Sequence, residues 1–313
     1  MKRITSLLDF ANPLVILYLV MAALFIVLIV AVPTFRTMQN VNNLFCRNVP
    51  LLCVCLGQMI VMLAAGIDLT VGPVLALATA IASELMGQSV PLGIVAILLA
   101  GALVGVINGL GVTKARINPF VMTMAMGAIV NGATLYIRPR AGGYIPKGFS
   151  KALLAHWGVV PLVPLGIFIL VIIACHILLY RTIYGRHLYA TGGNEEAARL
   201  AGIKTDVTTI LAYMISTVLA SMAGLYMCAR IESGDPFIGA SYVLDSIGAV
   251  VIGGTALTGG QGTLWGTLFG VIVFGILGNV FNFLGVSINW QYVLRGLIVI
   301  GVVGVASAWG REP

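Results

Sequence analysis

The chain has 313 residues, 60% of them hydrophobic and only 9% charged, with a mean hydropathy of +1.07 and a formal net charge of +7. Soluble domains carry about 25% charged residues, so a chain this apolar cannot cover itself with water-compatible surface and has lipid as its main solvent. The positive charge is spread along the connections, with no basic, aromatic-interleaved stretch; this argues against nucleic acid and suits anionic headgroups.

Ten apolar segments are predicted, at 13–34, 48–65, 70–87, 91–112, 119–137, 160–180, 207–228, 243–258, 263–285 and 290–309. The chain opens Met-Lys-Arg, and the run from Pro13 to Val32 exceeds the roughly 7–15 residues of a signal-peptide core, so it reads as an uncleaved first span. The third and eighth segments are short, and the eighth contains Gly253-Gly254; either suits a broken element buried among other helices. The expected fold class is all-α, one polytopic helix bundle over 1–313. Cys46, Cys53, Cys55, Cys175 and Cys228 contain no CxxC pair and read as small apolar residues.

Ten spans place both termini on one side. With termini inside, that side holds Lys2, Arg3, Lys114, Arg116, Arg181, Arg186, Arg199, Lys204 and Arg311, nine cations, against eight outside: Arg36, Arg47, Arg138, Arg140, Lys147, Lys151, Arg230 and Arg295. Half of the outside set lies in the connection 138–159, and without it the count is nine against four. That favours termini inside.

Glycines recur by fours, at Gly101, Gly105 and Gly109 and again at Gly262, Gly266 and Gly270. Each series is expected to leave one helix face bare for close packing, within the subunit or at a dimer interface. Asn118 before Pro119 reads as an N-cap followed by proline at the first helical position.

The longest strongly polar interval between apolar runs is 184–204. Asn194 is a suitable N-cap, Glu195 and Glu196 fall where the helix dipole favours acids, and Glu195 and Arg199 are four apart. Gly202 can stop the helix, so a short helix is expected over 195–201. A helix this short is marginal alone. It is held either by its own protein or by a partner into which it docks.

Enzyme signatures are missing. His156, His176 and His187 form no HExxH pair, there is no Gly-x-Ser-x-Gly elbow, and the dipeptide Gly-Lys does not occur, so there is no P-loop. The acids nearest membrane depth are Asp68, Glu84 and Asp245. Such an acid is a functional candidate, but Asp68 and Asp245 also read as helix caps, with Thr70 as a rival to Asp68. Asn108, Asn131, Asn279 and Asn282 lie in apolar segments. With Asp68 and Asp245 they are the candidates for lining a polar path, since a neutral polyol needs hydrogen-bonding partners rather than fixed charge.

Three stretches together resemble the membrane subunits of bacterial ribose-type sugar ABC importers. They are Gly66-Ile67-Asp68-Leu69-Thr70-Val71-Gly72, Gly192 through Ile203, and Val250 through Thr263. The likeness covers about residues 40–305. It implies a type II importer-like bundle in the bacterial inner membrane, with both termini cytoplasmic. It implies a second permease copy, identical or related, two cytoplasmic ATPase subunits and a periplasmic sugar-binding protein. This chain would bind no cofactor itself, with ATP and Mg²⁺ held on the partners. The loop 181–206 would meet the ATPase through Gly193, Asn194, Glu195, Glu196, Ala197, Ala198, Arg199, Leu200 and Gly202. The loop 138–159 would be periplasmic, and its Arg138, Arg140, Lys147 and Lys151 are candidates for docking the binding protein. The implied cargo is a ribose-like pentose, a hexose or an autoinducer-2-like sugar. The alternatives are a proton-coupled carrier using Asp68 or Asp245 and an importer of branched-chain amino acids.

Overall fold

The computed structural model describes residues 36–158 and 160–309; the expected first span, 13–34, lies outside them. The helices are α1 (Met38–Leu63), α2 (Val71–Leu85), α3 (Val90–Thr113), α4 (Pro119–Ile137), α5 (Lys147–Leu153), α6 (Leu162–Tyr180), α7 (Ile183–Gly193), α8 (Glu195–Leu200), α9 (Thr205–Ile231), α10 (Ala240–Ile252), α11 (Leu264–Phe283) and α12 (Ile288–Trp309). No strand occurs among the described residues, only isolated bridges joining Gly142 to Gly234 and Trp157 to Val160. Six of these helices, α1, α3, α4, α6, α9 and α11, are long and apolar enough to cross a membrane, and α2 and α10 are shorter apolar helices.

α1 starts at Met38, well before the expected 48, because Thr37 caps it and accepts from the Asn40 amide at 3.3 Å. From Val49 to Leu63 every residue of α1 is buried, as expected of a helix that is apolar all round. Around it, α3, α4 and α6 turn Leu99, Leu103, Ile129, Leu170 and Ile173 outward, the surface that suits lipid. α10 ends at Ile252 and the chain stays non-helical to Thr263, so the expected segment 243–258 is half helix and half loop.

α9 is the hub, packed on α1, α2 and α3. It can be one because its inward face is small: Ser216, Thr217, Ala220, Ser221, Ala223 and Gly224 are buried. The first glycine series lies against this face. A Cβ at Gly105 would stand 2.5 Å from Met214 Cα and 2.6 Å from the Tyr213 carbonyl oxygen, and one at Gly109 would stand 2.5 Å from Ile210 Cα. In the second series, Gly266 and Gly270 sit against the carbonyls of Gly253 and Ala249. Gly262 does not share that helix face. It precedes the α11 cap Thr263 and packs on Thr255; the four-residue spacing continued past the helix start.

These contacts set an expected outcome. Gly105→Leu and Gly266→Leu each place a side chain against backbone that cannot rotate away. Overpacking costs about 1–3 kcal/mol where side chains can adjust, and more is expected here. Both variants should lose folded, monodisperse protein; normal yield from either would show that its helix face is not closely packed.

The bundle has two ends. At one, α7 and α8 sit beside the α1 C-terminus and the loop after α10. At the other, Arg138 pairs with Glu84 and Gly142 bridges Gly234.

Candidate functional site

At the first end, Asn194 accepts from the Ala197 amide at 2.9 Å, and Glu195 pairs with Arg199 at 2.7 Å. Gly202 has φ +83°, the left-handed stop. The helix covers Glu195–Leu200, one residue less than expected. Arg199 also donates to Thr205 Oγ1 at 3.2 Å and reaches Asp206 at 3.4 Å, and Lys114 holds Asp206 at 2.6 Å. Exposed pairs are individually weak, but these tie α8 to α9 and to the end of α3. Only Ala198 of α8 is buried, while Leu200 is 86% exposed. The protein holds α8 at one edge and presents the rest.

Two of the three stretches singled out in the sequence meet here, against the end of α1 just ahead of the first. Gly260 N donates to the Leu63 carbonyl at 3.1 Å. Gly192 lies so close to that carbonyl that no side chain would fit, and Gly259 packs on Ala65 and the Gly192 carbonyl. Ala65 itself has φ +60°, uncommon for a residue with a Cβ. Tyrosines pin the junction. Tyr189 donates to the Gly262 carbonyl at 3.0 Å, Tyr184 to the Thr208 carbonyl at 3.3 Å, and the Tyr180 hydroxyl accepts from Leu264 N at 3.1 Å. Burial pushes the Tyr184 and Tyr189 phenols upward in pKa, so both remain neutral donors. Beside the junction is a cleft of about 920 Å³, whose lining includes Gly66, Arg116, Asn118, Gly193, Glu196 and Leu200.

The six path candidates divide three ways. Asp68 is fully buried. Its Oδ1 accepts from Thr70 N at 2.9 Å and Thr70 Oγ1 at 2.5 Å, its Oδ2 accepts from Ser216 Oγ at 2.8 Å, and Asn108 donates to Thr70 Oγ1 at 3.0 Å. Asp68 is therefore not the cap of α2. Thr70 holds the cap position, without a side-chain cap bond, and Asp68 clamps the α1–α2 connection to α9. Asn131 is exposed beside an apolar groove of about 510 Å³ between α2, α4 and α10.

Asp245, Asn279 and Asn282 lie towards the far end. Asp245 is no cap either. It sits inside α10, buried, and pairs with Arg295 of α12. Asn279 donates to Asn40 Oδ1 at 3.1 Å, and Asn282 accepts from Gln291 at 3.2 Å. A small recess is lined by Arg47, Asn48, Asp245, Asn279 and Arg295 among others. The sequence reading assigned Arg47 and Arg295 to connections. Their positions inside α1 and α12 are what it missed, and Arg295 within an apolar segment was the available signal.

Asn118 caps α4 as expected, accepting from Phe120 N at 3.0 Å. In the loop 138–159, Arg140, Lys147 and Lys151 are exposed, but Arg138 is not free: it pairs with Glu84 and donates to Ser83 Oγ at 3.1 Å. Among the described residues no group of three or more His, Cys, Asp or Glu is placed to hold a metal ion.

The profile of the family described as "Branched-chain amino acid transport system / permease component" matches residues 40–303. The chain belongs to that permease family. It is similar to the ribose import permease proteins of Escherichia coli K12, 36% identical over 277 residues (86% of this chain, 85% of that one), and of Bacillus subtilis 168, 36% over 283 residues (88% and 87%). It is also similar to the galactose/methyl galactoside import permease protein of Haemophilus influenzae, 29% identical over 312 residues (93% of each). No solved structure gives a significant match. Family and fold agree on a multi-pass membrane protein, a transport subunit of the permease class. The three stretches all lie within the matched region.

Proposed function

We propose that this chain is the translocation subunit of an ATP-binding cassette importer that carries a monosaccharide across the bacterial inner membrane. The carrying observation is the 36% identity to ribose import permeases over 86% of the chain. The galactose relatives keep the cargo class at monosaccharide rather than ribose alone, and an autoinducer-2-like sugar belongs to that class. The α8 end faces the cytoplasm with both termini, and the loop 138–159 faces the periplasm. A second permease copy, two ATPase subunits that bind ATP and Mg²⁺, and a periplasmic binding protein complete the importer. ATP draws the ATPases together, α8 moves with them, and the paired bundles tilt to expose the path alternately. The test is uptake in proteoliposomes carrying all subunits. Sugar uptake dependent on ATP and binding protein is expected. Leucine uptake would instead favour the amino-acid cargo named in the family description, and gradient-driven uptake by the permease alone would favour a secondary carrier.

Coupling through α8 has its own expected result. Glu196 is exposed and, among the described residues, makes no ion pair, so Glu196→Lys probes the partner without breaking a bond of α8, at the cost of about 0.3–1 kcal/mol from the helix dipole. Transport and sugar-stimulated ATP hydrolysis should fall together while permease yield holds. Arg199→Glu should do the same, but it also breaks the hold on Glu195 and Asp206. Unchanged coupling in Glu196→Lys would remove α8 from the docking surface.

The exposed cations of the loop 138–159 are proposed to steer the binding protein. Charge complementarity acts mainly on encounter and is screened over about 8 Å at physiological salt. Neutralising Arg140, Lys147 and Lys151 should slow association at low salt far more than at high salt, with dissociation changed less. Parallel salt slopes for variant and wild type, measured in neutral-lipid nanodiscs, would return the loop to plain solvated surface. Arg138 belongs in a separate variant, because its removal leaves Glu84 unpaired.

A further inference from the structure

The recess at the far end lies between α1, α10, α11 and α12, with a volume of about 120 Å³, and adjoins a second of about 300 Å³ that shares Arg47, Ser241 and Arg295. A water's share of liquid volume is about 30 Å³, so the inner recess alone takes about four water-sized groups, enough for the hydroxyls along one edge of a sugar. Its polar groups are incompletely used. Asp245 and Asn279 are 6% and 5% exposed, and Asp245 Oδ1, Asn279 Oδ1 and Arg295 Nε are buried without a partner. Buried polar atoms are normally paired, and each exception calls for an explanation. A buried ion pair kept only for structure would be expected to satisfy its remaining lone pairs and protons within the protein.

The recess is also built. α11 carries glycine at two lining positions. A Cβ at Gly275 would collide with the Asn48 amide, and one at Gly278 would stand 3.1 Å from Arg295 Nη2. Tyr242 and Phe274 add ring surface. Two acceptors and a donor around one space suit a ligand whose groups both donate and accept, which is what a hydroxyl does. A simple ion of either sign satisfies only half of the set.

We propose that this recess is a station for the hydroxyl groups of a monosaccharide on its way through the permease, Asp245 and Asn279 accepting and Arg47 and Arg295 donating. The proposal rests on the importer reading. It separates the path candidates by place: Asp245 and Asn279 line the recess and meet cargo, whereas Asp68 and Asn108 do not line it and, through Thr70 and Ser216, hold the frame, although Asn108 Oδ1 too is buried without a partner.

The test uses the complete importer in proteoliposomes with tritiated D-ribose and D-galactose, following uptake and ATP hydrolysis together. Asn279→Leu, which also gives up the bond to Asn40, and, at the rim, Ser241→Leu put apolar groups at the recess and leave the Asp245–Arg295 pair in place. Uptake per ATP hydrolysed should fall about tenfold, the effect of one or two lost hydrogen bonds. Hydrolysis stimulated by the loaded binding protein should stay close to wild type. Uptake unchanged, or uptake and hydrolysis falling in proportion, overturns the proposal, since a merely structural residue lowers both. If Asn279→Leu does not assemble, Ser241→Leu decides by the same criterion. A wild-type importer that moves neither sugar would sink the importer reading itself, a different result from a working importer indifferent to these changes.

Discussion

Asp68→Ala is expected to remove most of the folded permease. The carboxylate is fully buried and receives three hydrogen bonds, from Thr70 N, Thr70 Oγ1 and Ser216 Oγ. Deleting it strands those donors where water does not reach. Each unsatisfied buried group costs about 1–3 kcal/mol, so about 3–5 kcal/mol is expected after partial relaxation. Asp68→Asn is the informative companion. Its amide oxygen can still accept from Thr70, and its amide nitrogen can donate to Ser216 Oγ, so a good part of the clamp survives. If Asp68 only clamps, the Asn variant folds and transports sugar at a reduced but clear rate. If Asp68 instead carries a proton, the Asn variant folds and transports nothing. Yield on size-exclusion chromatography and uptake in proteoliposomes, measured on both variants, separate the two roles. A well-folded, fully active Asp68→Ala protein would show that the network contributes little.

What the sequence disclosed was local. The α8 cap at Asn194, the Glu195–Arg199 pair and the Gly202 stop depend on residues within one or two turns, and all are found where the sequence placed them. Asn118 ahead of Pro119 is another case. The glycine spacing at 101, 105 and 109 identified a bare face, because period and side-chain size are both written in the chain. What it could not disclose were partners far along the chain. Asp68 reads as a cap because its neighbours are a turn, yet its clamp is completed by Ser216, 148 residues away. Asp245 reads as a helix start, yet its counter-ion is Arg295, 50 residues away on α12. The first turns of α1 are polar, running Asn40, Asn42, Asn43 and Asn48, so hydropathy began the segment too late. Asn40 is met by Asn279 of α11, again a tertiary contact. The polar recess was therefore half visible: its acid and amide were noted, and its two arginines were assigned to loops.

Gly192→Ala and Gly193→Ala should part company although the residues are adjacent. Gly192 is buried in the last turn of α7, against the Leu63 carbonyl and 2.7 Å, from an added Cβ, to Gly260 N. Both contacts are backbone, so a methyl group cannot be accommodated by turning a side chain. α7 would have to lift off the α1 C-terminus, breaking the 3.1 Å bond from Gly260 N to Leu63 O and parting α7 from the loop after α10. Overpacking of about 1–3 kcal/mol and a lost hydrogen bond of about 1 kcal/mol give an expected loss of about 2–4 kcal/mol. Gly193 is exposed, and an added Cβ there meets no atom within 4 Å. Its φ is not in the left-handed region, and alanine in a helix is favoured over glycine by roughly 0.5–1 kcal/mol. Gly193→Ala should therefore melt at or slightly above wild type, and Gly192→Ala several degrees below it or not fold at all. Thermal unfolding in detergent, followed by tryptophan fluorescence, reads both. Equal melting of Gly192→Ala and wild type would mean that the α1, α7 and α10–α11 junction is looser than its backbone contacts require. If Gly193→Ala melts normally but its sugar-stimulated ATP hydrolysis is low, its methyl group is meeting the partner ATPase rather than its own chain, which locates the docking surface beside α8 and over the cleft.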